Sequence, residues 1–202
     1  MILFSIIVVC FIPKTVDAAA VRIFIDPGHG GSDPGATANG LKEKDLTLDI
    51  ALRTRDILNE SYEGHTIKLS RTSDVTTSLA KRTRMANNWG ANFFVSIHIN
   101  SNNATGFESY IFDGNYGDKE RTNAIRNSIH NEIVSQTGFK DRGQKEENLH
   151  VLRESKAPAI LTENGFIDNA NDGSKLKKDA FINKIAQGHA DGIARALGLN
   201  PK

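Results

Sequence analysis

The sequence contains very little cysteine and proline. Its single cysteine, Cys10, excludes a disulfide within the chain and leaves no thiolates for a structural zinc site, which is more often closed by cysteines. Proline accounts for 5 of the 202 residues, and neither a low-complexity linker nor an internal repeat interrupts the chain. These absences predict one folded domain without a disulfide framework and without an appended binding module.

The chain also lacks an excess of charge of either sign. It carries 25 Lys and Arg against 24 Asp and Glu, which gives a formal net charge of +1. No basic block occurs, and basic residues are not interleaved with aromatic ones, as they often are in nucleic-acid-binding segments. We therefore expect no nucleic-acid partner, and we expect a monomer.

One apolar run stands at the beginning of the chain. Residues 1–12 are almost wholly apolar, but this run is too short to span a bilayer as a stable helix. The small residues 18–20 resemble a signal-peptidase cleavage site, although no Lys or Arg precedes the run, so a truncated start or an N-terminal helix is the alternative. We predict a signal peptide over residues 1–20, a secreted product, and no integral membrane segment in the single domain of residues 21–202.

The most informative stretch that is present is a glycine-rich loop around His29. A β-branched run, residues 21–25, ends at Pro27 and enters four glycines within eight residues, which predicts a buried strand that leads into a tight loop. The loop has neither the Lys-Ser/Thr ending of a P-loop nor the G-x-G-x-x-G spacing, although a phosphate-binding loop or a plain turn remains an alternative for this stretch alone. Glycines let a bulky partner approach the backbone closely, and the His29 that they surround can donate a lone pair, so His29 is a candidate metal ligand.

Three further polar residues occur at the ends of predicted elements. Glu43 stands just before a run of apolar residues at helical spacing, where the helix dipole alone could account for a carboxylate. His98 lies near the end of the apolar stretch 93–100, although a histidine in such a strand is more often a core residue than a ligand. Glu163 ends a second buried strand and is followed closely by Gly165.

Predicted strands and helices alternate along the chain. The strands are predicted over residues 21–25, 66–69, 93–100, 106–112, 149–152 and 158–163. The helices are predicted over residues 46–60, 78–89, 121–136 and 180–197. This alternation predicts an α/β fold, with a single, largely parallel twisted sheet of about six strands covered by helices on both faces.

The polar residues at the element ends are expected to meet. The carboxyl ends of parallel strands share one sheet edge, so His29, Glu43, His98 and Glu163 should converge there. Two histidines and one glutamate form the ligand set of a catalytic zinc site, which leaves a fourth position for water. A further glutamate is what a zinc hydrolase needs as a proton shuttle.

Four motifs, in this order along the chain, carry a resemblance to a known family. They are Asp26-Pro27-Gly28-His29-Gly30-Gly31, Glu43-Lys44-Asp45, Ser96-Ile97-His98-Ile99-Asn100 and Glu163-Asn164-Gly165-Phe166-Ile167-Asp168-Asn169. The chain resembles the zinc-dependent N-acetylmuramoyl-L-alanine amidases of the bacterial autolysin, spore and phage-endolysin type, over essentially all of residues 21–198. The resemblance implies one zinc ion per chain with His29, Glu43 and His98 as its ligands, and Glu163 as the catalytic glutamate.

The resemblance implies a reaction, a substrate and a location. The reaction is hydrolysis of the amide bond between N-acetylmuramic acid and the L-alanine of the stem peptide in peptidoglycan, at the bacterial cell wall. A zinc peptidase that cleaves the stem peptide itself is the alternative among enzymes, and a non-catalytic wall-binding module is the alternative outside them. The chain departs from the family pattern at Asn164, where a small or hydroxyl residue is expected, and no wall-binding repeats follow the domain.

Overall fold

The computed structural model describes residues 19–202, which are organised around a six-stranded sheet. The strands are β1 (Val21–Pro27), β2 (His65–Leu69), β3 (Phe93–Asn100), β4 (Phe107–Ile111), β5 (Asp141–Glu146) and β6 (Ala159–Phe166). They lie in the order β2-β1-β3-β6-β4-β5. Adjacent strands are parallel except at the β4–β6 pair, so β4 and β5 run opposite to the other four strands.

Six helices are found in this part of the chain, and they cover both faces of the sheet. They are α1 (Glu43–Ser61), α2 (Leu79–Trp89), α3 (Lys119–Thr137), α4 (His150–Arg153), α5 (Ala170–Leu176) and α6 (Asp179–Leu197). Helices α1, α3 and α6 bury their apolar residues in the larger core on one face. Helices α2 and α4 pack in a smaller core on the other face. The α/β fold that the alternation predicts is confirmed.

The smaller core covers only part of its face of the sheet. Phe24 and Phe94 stack there with ring centroids 5.7 Å apart, beside Leu161 on β6. Side chains two residues apart in a strand share a face. Toward the carboxyl ends of the strands, the same face therefore carries Asp26 on β1, Ser96 and His98 on β3, and Glu163 on β6. This face therefore has an apolar part, which packs in the smaller core, and a polar part, which carries the candidate site residues His98 and Glu163.

The sequence prediction is wrong at one strand. Residues 149–152, predicted as a strand, begin the single turn of helix α4, through which Val151 and Leu152 reach the smaller core. The strand in this region is β5, a polar edge strand that pairs with β4 alone and has no apolar pattern by which to recognise it. The other predicted strands and helices are confirmed to within a few residues.

The predicted signal peptide, residues 1–20, lies outside the described residues except for its last two. From residue 19 to residue 202, no helix has the length and apolar character that a membrane crossing requires.

Candidate active site

Three of the predicted site residues lie together. His29 follows β1, Glu43 is the first residue of α1, and His98 lies near the end of β3. Each offers one ligand atom, and these atoms lie within 4.8 Å of one another. Oε1 of Glu43 is 3.1 Å from Nε2 of His29 and 3.0 Å from Nδ1 of His98. The structure thus forms a His/Glu/His cluster, the name used below for these three residues.

The glycines of the loop make room for this cluster. A Cβ atom at Gly28 would lie 2.3 Å from the ring of His98, and one at Gly35 would lie 2.6 Å from Oε2 of Glu43. His29 itself has a φ of +58°, a left-handed conformation that few non-glycine residues adopt. The glycine content of the loop therefore reflects how closely the backbone approaches the imidazole and carboxylate groups.

Neighbouring groups orient the ligand atoms. Oδ2 of Asp33 is 2.8 Å from Nδ1 of His29, an arrangement found for histidines that ligate metals through their other nitrogen. Glu43 accepts hydrogen bonds from the backbone N–H groups of Ala36, at 2.8 Å, and Ile99, at 3.0 Å. Burial works against ionisation of Glu43, but its hydrogen bonds with the two histidines hold its pKa far below the usual range. Glu43 is therefore a carboxylate.

Two buried arginines bind the backbone of the loop that carries His29. Arg82 is 3% exposed, donates to Oδ1 of Asp26 at 2.7 Å, and reaches the carbonyl oxygen of His29 at 2.7 Å. Ser96 donates to the second oxygen of Asp26 at 2.8 Å. Arg71, also 3% exposed, donates to the carbonyl oxygen of Gly28 at 2.9 Å. These contacts fix the backbone on which His29 stands.

Glu163 lies beside the cluster rather than in it. It pairs in register with His98 across β3 and β6, and its Oε2 atom is buried without a hydrogen-bond partner among residues 19–202. Burial, followed by repulsion from Glu43 and other nearby carboxylates, raises the pKa of Glu163 well above its usual range. Such a group is suited to exchanging a proton. Asn164, the departure from the family pattern, is fully buried and donates to the carbonyl oxygen of His98 at 3.0 Å.

The cluster fits a metal ion by its donors and its spacing. Two imidazole nitrogens and one carboxylate oxygen are a common ligand set for divalent transition metals. Ligand bonds of ordinary length to a tetrahedral zinc ion place adjacent donor atoms about 3.3 Å apart. The 3.1 Å and 3.0 Å separations from Oε1 of Glu43 are close to this value. The cluster is thus a candidate metal site by its donors, by these two separations and by the room that Gly28 and Gly35 provide.

Two carboxylates near the site were missed by the sequence analysis. Asp33 follows His29 by four residues within the loop and could have been found as a second carboxylate beside a candidate ligand. Glu108 stands within β4, where it is 2% exposed and directly opposite Glu163. A charged residue inside the apolar stretch of a predicted strand was the available signal for it.

An open α/β sheet with a His/Glu/His cluster and a partly buried carboxyl group at its strand ends is typical of metal-dependent hydrolases. The chain belongs to the N-acetylmuramoyl-L-alanine amidase family, whose profile matches residues 23–195. This confirms the resemblance on which the sequence analysis relied.

Relatives and solved structures agree with this assignment. The sporulation-specific N-acetylmuramoyl-L-alanine amidase of Bacillus subtilis (strain 168) is 58% identical over 179 residues, which cover 89% of this chain and 69% of that protein. The endolysin of Bacillus phage SPP1 is 44% identical over 184 residues, 89% of this chain and 67% of the endolysin. The crystal structure of an N-acetylmuramoyl-L-alanine amidase from Clostridium difficile 630 superposes with a TM-score of 0.84 at 35% identity, covering 90% of this chain and 98% of the other.

The buried Asp26–Arg82 pair generates a prediction about stability. Arg82→Leu leaves the carboxylate of Asp26 buried without its cation, which should cost about 3–5 kcal/mol of the free energy of unfolding. Arg55→Leu is the matched control, because Arg55 pairs with Asp56 at the surface and should cost at most about 1 kcal/mol. Urea unfolding of both variants, in the presence of chelator, measures the difference. Equal losses would contradict the view that this pair fixes the loop.

Proposed function

We propose that this protein hydrolyses the amide bond between the lactyl group of N-acetylmuramic acid and the L-alanine of the stem peptide in peptidoglycan. The observation that carries the proposal is the position of Glu163, in register with His98 and next to the His/Glu/His cluster, in a chain of the amidase family. Family membership favours this bond over the peptide bonds of the stem.

We infer that His29, Glu43 and His98 hold one zinc ion. The mixed nitrogen and oxygen donors favour zinc, and Asp33 would fix the orientation of the His29 ring. When bound, zinc supplies Lewis acidity, which polarises the scissile carbonyl and lowers the pKa of water to ~7.

Glu163 is assigned the proton transfers. Its carboxylate takes a proton from the attacking water while the hydroxyl oxygen bonds to the carbonyl carbon. Its carboxyl group then gives this proton to the nitrogen of L-alanine as the carbon–nitrogen bond breaks. The products are a free lactyl carboxylate and a stem peptide with a free amino group. The buried Oε2 atom, which has no hydrogen-bond partner in residues 19–202, leaves Glu163 available for this exchange.

The substrate also bears on where the protein acts. Peptidoglycan lies outside the cytoplasmic membrane, so we propose that the chain is secreted and acts at the cell wall, with residues 1–20 as its signal peptide. The apolar run and the small residues 18–20 support this proposal.

The first prediction of this mechanism concerns the metal. The purified protein should contain about one zinc ion per chain, and His29→Ala and His98→Ala should each lose it. His65→Ala is the control, since His65 begins β2 and lies outside the cluster. Elemental analysis that found full zinc in either the His29 or the His98 variant would remove that histidine from the ligand set. Chelator should abolish activity, and added zinc should restore it.

The second prediction separates the two glutamates. Glu163→Gln keeps the shape of the side chain but cannot take a proton, so turnover should fall by ~10²–10⁴ while zinc is retained. Glu43→Ala removes a ligand, so zinc content and activity should fall together. Glu60→Gln, at an exposed position of α1, should leave both unchanged. The roles are interchanged if Glu163→Gln loses zinc and Glu43→Ala keeps it. The mechanism is wrong if Glu163→Gln retains full activity.

The third prediction concerns the bond. Digestion of purified peptidoglycan should release intact stem peptides with a new free amino group on alanine, and glycan strands with unsubstituted lactyl groups. Mass analysis of the soluble products distinguishes this result from two others. New reducing sugar ends would indicate a glycosidase, and shortened peptides still attached to muramic acid would indicate a peptidase.

A further inference from the structure

A pair of cationic side chains lies beyond Glu163 on the same part of the sheet. Arg142 and Lys145 belong to β5, and both contact the buried carboxylate of Glu108 on β4. Glu108 in turn stands directly opposite Glu163 on β6. A continuous row of polar groups therefore runs from the proposed general acid to the edge of the sheet.

Each carboxylate oxygen of Glu108 accepts two hydrogen bonds, and Arg142 and Lys145 are two of the four donors. Its Oε1 atom accepts from Nε of Arg142 at 2.8 Å and from Nζ of Lys145. Its Oε2 atom accepts from Asn100 at 3.0 Å and from the Tyr110 hydroxyl at 2.8 Å. Two cations thus share one carboxylate that is 2% exposed, and this contact fixes the position of both side chains.

Arg142 also contacts Phe166 and is partly exposed. Its guanidinium lies 5.1 Å from the centre of the Phe166 ring, and its side chain is 29% exposed. Its hydrogen bond to Glu108 uses Nε, and no hydrogen bond joins Nη1 or Nη2 to another of residues 19–202. The acidic neighbours of the pair along the chain, Asp141, Glu146 and Glu147, are exposed, and the first two contact His130 and Lys119 respectively. The result is a preformed fork of donors, which matches the geometry of a carboxylate.

The proposed role of Glu163 as proton donor indicates which part of the substrate reaches the donors of Arg142. Glu163 must lie next to the leaving nitrogen, so the departing peptide is on the Glu163 side of the cluster and the muramoyl group is on the His29 side. From β6 to β5 is two strand spacings, about 10 Å. An extended peptide covers this distance in about three residues.

We propose that Arg142, assisted by Lys145, binds a carboxylate on the second or third residue of the stem peptide. The two residues would then determine specificity for acidic stem peptides, and they would not take part in the bond cleavage. This inference rests on the proposed function, because the direction of the peptide follows from the role of Glu163.

The test compares muramoyl tripeptides that differ only by a carboxylate or a carboxamide on the second or the third residue. At low salt, the zinc-loaded full chain should cleave the carboxylate form with a kcat/KM about tenfold higher at one of these positions, mainly through a lower KM. Arg142→Gln should raise the KM for that peptide about tenfold, leave its kcat unchanged, and abolish the preference. Arg142→Lys should restore part of it, and Lys145→Gln should have a smaller effect.

A matched control excludes a general loss of charge or of stability. Arg153→Gln makes the same chemical change at an exposed residue of α4, on the part of the face that the smaller core covers, and should alter neither KM nor the preference. The KM of Arg142→Gln for the carboxamide peptide should equal that of the unsubstituted protein, which a merely structural role of Arg142 would not predict.

Binding of the released tripeptide, measured by calorimetry on the metal-free protein, separates the two proposals. Arg142→Gln should weaken binding of the carboxylate peptide about tenfold and leave the carboxamide peptide unaffected. If no muramoyl peptide is cleaved but this discrimination persists, the proposed function fails and the carboxylate site stands. If the protein cleaves both peptides with equal KM, or if Arg142→Gln keeps the preference, the carboxylate site is refuted and the amidase function stands.

Discussion

The structure of the site depends on burying one negative charge. Glu43 is 4% exposed, and a buried carboxylate is tolerated only when donors surround it. Oε1 meets both histidines and the N–H group of Ile99, and Oε2 meets the N–H group of Ala36. Because these donors come from the β1–α1 connection and from β3, satisfying Glu43 requires that the two segments be held in one fixed arrangement.

The face of the sheet that carries Glu163 has one part that stabilises the fold and another part that holds the reactive groups. Toward the amino ends of the parallel strands it is apolar and covered by α2 and α4. Toward the carboxyl ends it carries the paired charges of Asp26 and Arg82, which hold the loop, and then Glu163, whose Oε2 atom has no hydrogen-bond partner in residues 19–202. A buried carboxyl oxygen without a hydrogen-bond partner lowers stability, and such exceptions to good pairing are expected where a protein acts on a substrate.

What the sequence could predict follows from how local each signal is. The grouping of His29, Glu43 and His98 could be foreseen, because His29 follows a strand, His98 lies near the end of another and Glu43 begins the helix after the first, and parallel strands bring these positions to one edge. Helix α4 could not, since one helical turn is too short to show a period. Strand β5 could not either, because it is polar, pairs on one side only and is defined by its contact with β4.

The reversed direction of β4 and β5 explains why the sequence did not predict the position of Arg142 and Lys145 beside the site. In an all-parallel sheet the functional residues lie at the carboxyl ends of the strands, so the sequence pattern directs attention to those ends alone. Because β4 is antiparallel to β6, its amino-terminal part lies at that edge, and Glu108 comes opposite Glu163. Strand β5 follows β4 in parallel and brings Arg142 to Glu108. In this mixed sheet, one part of the functional edge is therefore formed by the ends of strands and the other part by the beginnings of strands, and only the pairing of the strands reveals the second set.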